Sequence, residues 1–489
     1  MDSKFGWNLS TLRTGIAYLA MLGGTIAGFF WLRAQGAGLA APAPSADVPR
    51  FGVVEGAAGA AGSAARGDSF LHVLIALIVI IAAARLVGAL FKYIEQPPVI
   101  GEVVAGILLG PSLLGRIAPE AYTYLLPPSI SPHLNLLAQI GVILFMFLVG
   151  VDLDTRHLSH GTHSTVAISH ASIVTPFLLG SGLALWLYPR LSSSDVPFTA
   201  FALFIGVAMS ITAFPVLARI LTDRGIHKTP LGTIALTCAA VDDVTAWCLL
   251  AFLVGIVRSR LEGAAHTILL TVAYIAFVVV LVRPLLKRLV ARVEEEGRLT
   301  QSVSAGLFVA LLLSALATEL IGIHALFGAF LLGAVIPSDS RLARELTTRL
   351  HDLVVVFLLP AFFAFTGMRT MIGLVHGWGQ WGICGLIILV ACLGKFGGSA
   401  VAARLTGLPW RESSALGILM NTRGLMQLIV LNLGLDLKVL SPTLFAMMVI
   451  MAVVTTMMTT PILHLLHADT QVSRARPGTV PLPARPVSH

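Results

Sequence analysis

Along most of this chain the apolar residues come in unbroken blocks of roughly 15 to 27, each closed by Pro, Gly or charge, the length a helix needs to cross a bilayer. The short alternating strands of a barrel would read differently. The first block, Gly15 to Leu32, precedes the Ala/Gly/Pro/Ser-rich stretch Ala34 to Asp68, which lacks periodicity and reads as a flexible linker. Blocks then follow at Phe70 to Tyr93, Val99 to Leu114, Leu134 to Val151, Thr165 to Leu187, Phe198 to Leu221, Leu231 to Val257 and His266 to Val282. After a charged loop containing Glu294, Glu295 and Glu296 come Val303 to Leu320, Ile323 to Ile336, Leu353 to Met368, Trp381 to Leu405, Leu416 to Leu435 and Leu440 to Leu466. The pattern predicts an all-α polytopic membrane protein with about thirteen core spans and one N-terminal span. Its expected parts are 1–33, a transmembrane or signal-like segment; 34–68, an extracytoplasmic linker; 69–467, the helical domain; and 468–489, a short cytoplasmic tail.

Two spans interrupt the apolar pattern in mid-membrane. IGVAMSITAFPVLARIL (Ile205 to Leu221) carries Ser210, Thr212 and Pro215, and LGILMNTRGLMQLIVL (Leu416 to Leu431) carries Asn421, Thr422, Arg423 and Gly424. They are the fifth and twelfth core spans, corresponding places in two halves, as expected for the paired broken helices of an inverted-repeat transporter. Such breaks expose half-helix ends and unpaired carbonyls, which a membrane tolerates only where they line a cavity. Pro215, Asn421, Thr422 and Arg423 are read as helix-break or gating residues. Arg423 either neutralises exposed helix C-terminal carbonyls or acts directly in transport. Ser210 and Thr212 offer hydroxyl oxygens that suit a hard cation, or simply bond the backbone of a kinked helix.

Composition agrees with the pattern: 56% of the residues are hydrophobic and 11% charged, against about 25% charged in a soluble domain. Cys238, Cys248, Cys384 and Cys392 all fall inside apolar blocks, as small hydrophobes and not as a disulfide framework or zinc site. The net charge of +8 comes from basic residues scattered over short loops, so it reflects topology; no nucleic acid partner and no cofactor are expected. Assigning loops alternately, one side collects about twice as many Lys and Arg, among them Arg85, Lys92, Arg224, Arg288, Arg341 and Arg411. That side is expected to be cytoplasmic, with both termini inside and the linker outside. Were the first block a signal peptide, the linker would still lie outside.

The chemistry centres on Asp242 and Asp243, inside the span TPLGTIALTCAAVDDVTAWCLLAFLVGIV. A bare carboxylate at membrane depth costs about 3 kcal/mol or more, so two in succession require water, a cation or a counter-charge. Consecutive helical positions differ by about 100° in direction, so the two cannot share one role. Lys395, with roughly ten residues of its block on either side, sits near the midplane and is the natural partner of one of them; Gly394, Gly397 and Gly398 beside it permit close helix approach. Glu102, near a helix N-terminus, reads as structural or gate-lining. His170, also in mid-span, reads as a buried structural histidine that could titrate near neutrality.

The motifs SITAFPVLARIL, AAVDDVTAW, FFAFTGMRT and GILMNTRGLMQLIVLNLGL closely resemble the monovalent cation:proton antiporter-2 family, which includes the plant cation/H+ exchangers and the bacterial glutathione-gated potassium efflux systems. The match runs from about Phe70 to Leu466. The resemblance implies an inverted-repeat antiporter fold with two broken, crossing helices, arranged as a homodimer of thirteen-helix protomers. Each protomer would have a dimerisation part and a six-helix core, working by elevator-like alternating access. By position, Asp243 resembles the essential ion-binding aspartate, Asp242 the second acid of electrogenic members, and Lys395 the lysine that pairs with it. The transported cation is thus expected on Asp243 and Asp242. Plant exchangers usually have Asn where Asp242 stands, and exchangers commonly have Glu where Gln427 stands, so no role of that acid transfers here. The potassium efflux systems and plant relatives carry large cytosolic regulatory regions; with a chain ending soon after its last span, nucleotide or glutathione gating is not expected.

The expected function is exchange of external protons for cytosolic Na+, with K+ or Li+ as alternatives, across a bacterial inner membrane, with movement of net charge. A channel-like potassium efflux protein is the alternative, but a channel does not need a carboxylate whose protonation alternates with ion binding. Membrane prenyltransferases also use paired aspartates, with further acids about one helical turn away, and VTAWCLL follows Asp243 instead. A carrier of organic solutes would spread polar residues over many spans. Here they cluster at the two breaks and the Asp pair.

Overall fold

The structure, a computed structural model, describes residues 9–43, 65–152, 163–227, 229–258 and 261–466. The expected tail and most of the expected linker lie outside the described residues. Helices of eight residues or more are α1 (Leu9–Gly36), α2 (Ala65–Tyr93), α3 (Pro98–Leu109), α4 (Ser131–Asp152), α5 (His163–Leu191), α6 (Phe198–Ser210), α7 (Phe214–Asp223), α8 (Pro230–Arg258), α9 (Leu261–Phe277) and α10 (Arg283–Glu296). They continue with α11 (Gln301–Ile321), α12 (Ala325–Ala334), α13 (Arg341–Asp352), α14 (Leu359–Arg369), α15 (Gly377–Cys392), α16 (Gly398–Leu405), α17 (Trp410–Met420), α18 (Leu425–Asp436) and α19 (Pro442–Leu465). Among the described residues eleven helices are long and apolar enough to cross a membrane. The pair α17 and α18, bent by 44°, makes a twelfth. The short apolar α12 takes the place of the remaining expected core span.

The apolar pattern misjudged two charged segments. Arg283–Glu296, read partly as a loop, continues α9 through a widened turn at Val278–Val282, and Arg341–Asp352 leads into α14 through another at Leu353–Leu358. Both are amphipathic and bury a stripe of Leu and Val, namely Leu286 and Val293 in one and Leu342, Leu346 and Leu350 in the other. That stripe keeps the helix going beyond the purely apolar run. Glycine ends α10, where Gly297 adopts φ 69°. The first residues of the expected linker are also tied down: the Ser194 N–H donates to Pro42 O at 2.9 Å, next to the α5–α6 turn.

Close backbone approaches sort the helices into two groups. A Cβ at Gly101 would lie 2.9 Å from Gly88 Cα, one at Gly106 2.5 Å from Phe363 O, one at Gly141 2.8 Å from Leu358 Cβ, and one at Gly150 2.3 Å from Phe330 O. These contacts lock α2, α3, α4, α12 and α14 into a panel. In the second group, a Cβ at Gly206 would lie 2.9 Å from Phe177 O, at Gly394 2.7 Å from Pro176 Cα, at Gly417 2.7 Å from Phe396 O, and at Gly434 2.2 Å from Phe204 Cζ. Thus α5, α6, α15, α16, α17 and α18 form a core. Helix α8 joins it through Asp242, which accepts from Ser169 of α5, and α19 through Thr456, which bonds the Arg423 backbone.

The two broken spans lie inside that core and cross at their breaks. Between α6 and α7 the backbone of Ile211 and Ala213 is extended. The Ala213 N–H donates to Thr422 O at 3.0 Å, joining one break to the other. Gly424 permits the crossing, because a Cβ there would stand 2.5 Å from Val216 Cγ2 and 3.2 Å from Ala213 Cβ.

Candidate ion-binding site

Proline and glycine prepare the site before any charge enters it. Pro176 lies inside α5 and has no N–H, so the carbonyl of Ser172 four residues earlier lacks its helical partner. Gly394 sits against Pro176, and the helix around it opens into a wide turn at Leu393–Gly397. Such turns are frequent at functional sites. This one delivers Lys395, which donates to the freed Ser172 carbonyl at 2.8 Å.

Lys395 Nζ also lies 2.8 Å from Asp242 Oδ2, and both side chains are fully enclosed. Asp242 is held on every side. Its Oδ1 accepts from Ser169 Oγ at 2.7 Å; Ser172 Oγ at 2.5 Å and Thr212 Oγ1 at 2.8 Å share Oδ2 with the lysine. Thr212 reaches it because the break turns its side chain out of the α6 ladder and also brings it 3.3 Å from Met420 O in the other break. Three helices and one break therefore converge on a single carboxylate, by the general rule that a buried charge must be paired and hydrogen-bonded.

Asp243 is buried as deeply, at 2% exposure, and its surroundings are the opposite. One residue further along α8, its nearest backbone donor is the Phe214 amide at the start of α7, which does not reach either oxygen with hydrogen-bond geometry. Neither Asp243 oxygen has a hydrogen-bond partner. Nearly all buried polar atoms are satisfied, so a carboxyl group with two open oxygens is an exception. Asn421 Oδ1, in the other break, is likewise unpartnered.

Arg423 answers the opposite helix end. Its guanidinium donates to Ala208 O at 3.0 Å and Met209 O at 2.7 Å, the last carbonyls of α6, and to Gln427 Oε1 at 3.1 Å. Its backbone is pinned through Thr456 of α19, which accepts from the Arg423 N–H at 2.9 Å and donates to its carbonyl at 2.7 Å. Of its two sequence readings, this geometry matches neutralisation of carbonyls. Gln427, a neutral residue, orients that arginine.

Residues 73–466 match the family described as sodium/hydrogen exchanger, transmembrane. The chain belongs to that family. It is 46% identical over 397 residues to Na(+)/H(+) antiporter NhaS4 of Synechocystis sp., covering 81% of this chain and 97% of that protein. Identity is 40% with Cation/H(+) antiporter 20 of Arabidopsis thaliana and 33% with K(+)/H(+) antiporter 1 of Saccharomyces cerevisiae. The chain spans only 49% and 46% of the lengths of those two relatives. In fold it is similar to the sodium proton antiporter MjNhaP1 from Methanocaldococcus jannaschii, with a TM-score of 0.58 at 14% identity, covering 83% of this chain and 99% of that one.

Within this antiporter architecture the sequence-derived candidates separate. Asp242, Asp243, Lys395 and Thr212 come together. Pro215 occupies the first turn of α7, and Thr422 lies 3.4 Å from Thr459 while its carbonyl joins the breaks. Ser210 does not join them: its hydroxyl bonds Gly206 O at 2.8 Å and Ile173 O at 3.0 Å, the backbone role open to it in a kinked helix. Glu102 lies in the panel, 3.7 Å from Arg85, away from the aspartates. His170 Nδ1 lies 2.8 Å from Val166 O. Sequence reasoning missed Ser169 and Ser172. Their spacing of three places them on one face of α5, and Pro176 four residues after Ser172 was the available signal.

Proposed function

We propose that the protein is a secondary antiporter that exchanges protons for monovalent cations, sodium first, and that Asp243 is where the two compete. The observation that carries this reading is the contrast between adjacent carboxylates. Asp242 has its donors supplied by the protein, whereas Asp243 offers two unpartnered oxygens inside a sealed core. A proton or a dehydrated cation satisfies those oxygens equally well in kind, and not at the same time. Oxygen ligands suit a hard cation, and Asn421 Oδ1 is a further candidate ligand.

Lys395 holds Asp242 in place through their ion pair. Arrival of a cation at Asp243 adds positive charge one residue from that pair, and release of a proton by Lys395 would compensate it. Two protons would then move against one cation, and turnover would carry net charge. The names of the Synechocystis and yeast relatives, with sodium in one and potassium in the other, support an alkali cation as substrate. No observation favours the channel-like alternative.

We further propose that the loops rich in Lys and Arg face the cytoplasm of a bacterial cell, and that the protein works as a homodimer in its inner membrane. The test of the function is purified protein in liposomes, with a pH dye inside and each alkali cation added in turn. The wild type should release protons on Na+ addition. Asp243→Asn, which keeps the shape of the side chain, should fold normally and abolish the signal. Appreciable cation-driven proton flux in a folded Asp243→Asn protein would refute the assignment.

A further inference from the structure

Among the described residues, polar contacts join the panel and core on opposite faces. At the C-terminal end of α14, in the panel, Arg369 donates to Asn432 Oδ1 at 3.1 Å and Asp436 Oδ1 at 2.6 Å, both on the broken span of the core. Asn432 in turn donates to Thr366 Oγ1 of α14 at 2.8 Å. At the other end of the panel, Glu95, between α2 and α3, lies 2.9 Å from His464 Nε2 and 3.9 Å from Arg224 Nη2, both in the core. The two faces are opposite because α3 and α14 run in the same direction. Gly106 meets Phe363 and Gly110 meets Met368, so Glu95 before α3 and Arg369 after most of α14 stand at opposite ends.

Beside Arg369 the panel and core part to leave a cleft of about 510 Å³, lined by Ala138, Gln139 and Phe362 on one wall and by Ile429, Asn432 and Asp436 on the other. Asp242 and Asp243 are sealed from it. The outer rim of the cleft is therefore held by an ion pair whose two halves belong to bodies that must move relative to each other if the aspartates are to meet water from alternate sides.

We propose that Arg369 is a positioning residue for exchange: its bonds to Asn432 and Asp436 form a latch that must open for the aspartates to become accessible from that face, with Glu95, His464 and Arg224 as the counterpart on the other. This rests on the antiport function proposed for the Asp243 site. A latch acts on the balance between states and not on ion chemistry. Weakening it should favour the state open to its own face, lowering the apparent KM for the cation presented there and raising it on the opposite face. For a partly exposed ion pair the expected shift is about fivefold.

The test uses Asp436→Asn, because Asp436 is half-exposed while Arg369 is buried and its loss could prevent folding. Sided membrane vesicles of both orientations give the apparent KM for Na+ at each face. Asp436→Asn should shift the two in opposite directions, Glu95→Gln should shift them the other way round, and the ratio of Na+ to K+ transport should stay unchanged. Independently of transport, a cysteine replacing Ala138 in a cysteine-free background should react about fivefold faster with an impermeant thiol reagent when Asp436→Asn is added. Unchanged labelling and unchanged KM values in folded protein would overturn the latch, as would a loss of rate with no opposed KM shift, the mark of a merely structural pair. If the wild type exchanged no cation at all, the antiport function would fall, while the labelling rate would still decide the latch.

Discussion

Replacing Lys395 by Met keeps the length of the side chain and removes its charge, so it isolates what the ammonium does for Asp242. Both side chains are completely enclosed, and water cannot take over the lost interaction. Breaking a buried ion pair from one side costs about 3 to 5 kcal/mol, since the remaining charge is left in a low-dielectric site. Here Ser169, Ser172 and Thr212 still donate to the carboxylate after the lysine is gone, which places the expected loss near the lower end, about 3 kcal/mol. The Ser172 carbonyl also loses its donor, for lack of a helical partner at Pro176. At about 1 °C per kcal/mol for a chain of 489 residues, the melting temperature of Lys395→Met in detergent should fall by roughly 3 °C. Adding Asp242→Asn removes the stranded charge while leaving an oxygen for the hydroxyl donors, so the double variant should recover about 2 kcal/mol, or roughly 2 °C. Thermal unfolding of the four proteins in one detergent measures the cycle. A Lys395→Met protein that melts within about 1 °C of the wild type, or a double variant less stable than Lys395→Met, would refute the claim that this pair holds the core together.

Asp242→Asn alone should weaken or abolish the dependence of exchange on membrane potential, measured in liposomes clamped with valinomycin and graded potassium; wild-type exchange indifferent to potential, with Asp242→Asn behaving identically, would remove the charge-moving assignment. Gly424→Ala places a methyl 2.5 Å from Val216 Cγ2, so it should destabilise by about 1 to 3 kcal/mol and slow exchange by forcing the crossing breaks apart. Equal stability and rate would show that the crossing has room to spare. Cysteines replacing Ser194 and Glu295 in a cysteine-free background should label from opposite sides of the membrane, Ser194 from outside; labelling of both from one side would overturn the proposed orientation.

The one-dimensional pattern carried the spans, the two breaks and the residues worth watching, because a bilayer imposes one length on every crossing helix and makes any polar residue in it conspicuous. Asp242, Asp243, Lys395 and Arg423 stand out in sequence for that reason alone. Helices with a charged face were the exception: α10 and the segment Arg341–Asp352 lie beyond the apolar runs and were legible only through their buried stripes. What the sequence could not assign was direction. Adjacent aspartates about 100° apart on a helix are equivalent until neighbours are placed around them. Only the packed structure puts three hydroxyls and an ammonium on Asp242 and leaves Asp243 open. Likewise only packing turns Ser210 to its own backbone, Thr212 to the carboxylate and Arg423 to the end of α6. Composition and periodicity act through the solvent each helix meets, which every residue feels locally. The roles within the site depend on partners 30 to 215 residues away in the chain, such as Thr212 for Asp242 and Ala208 for Arg423, and those distances are closed only by the fold.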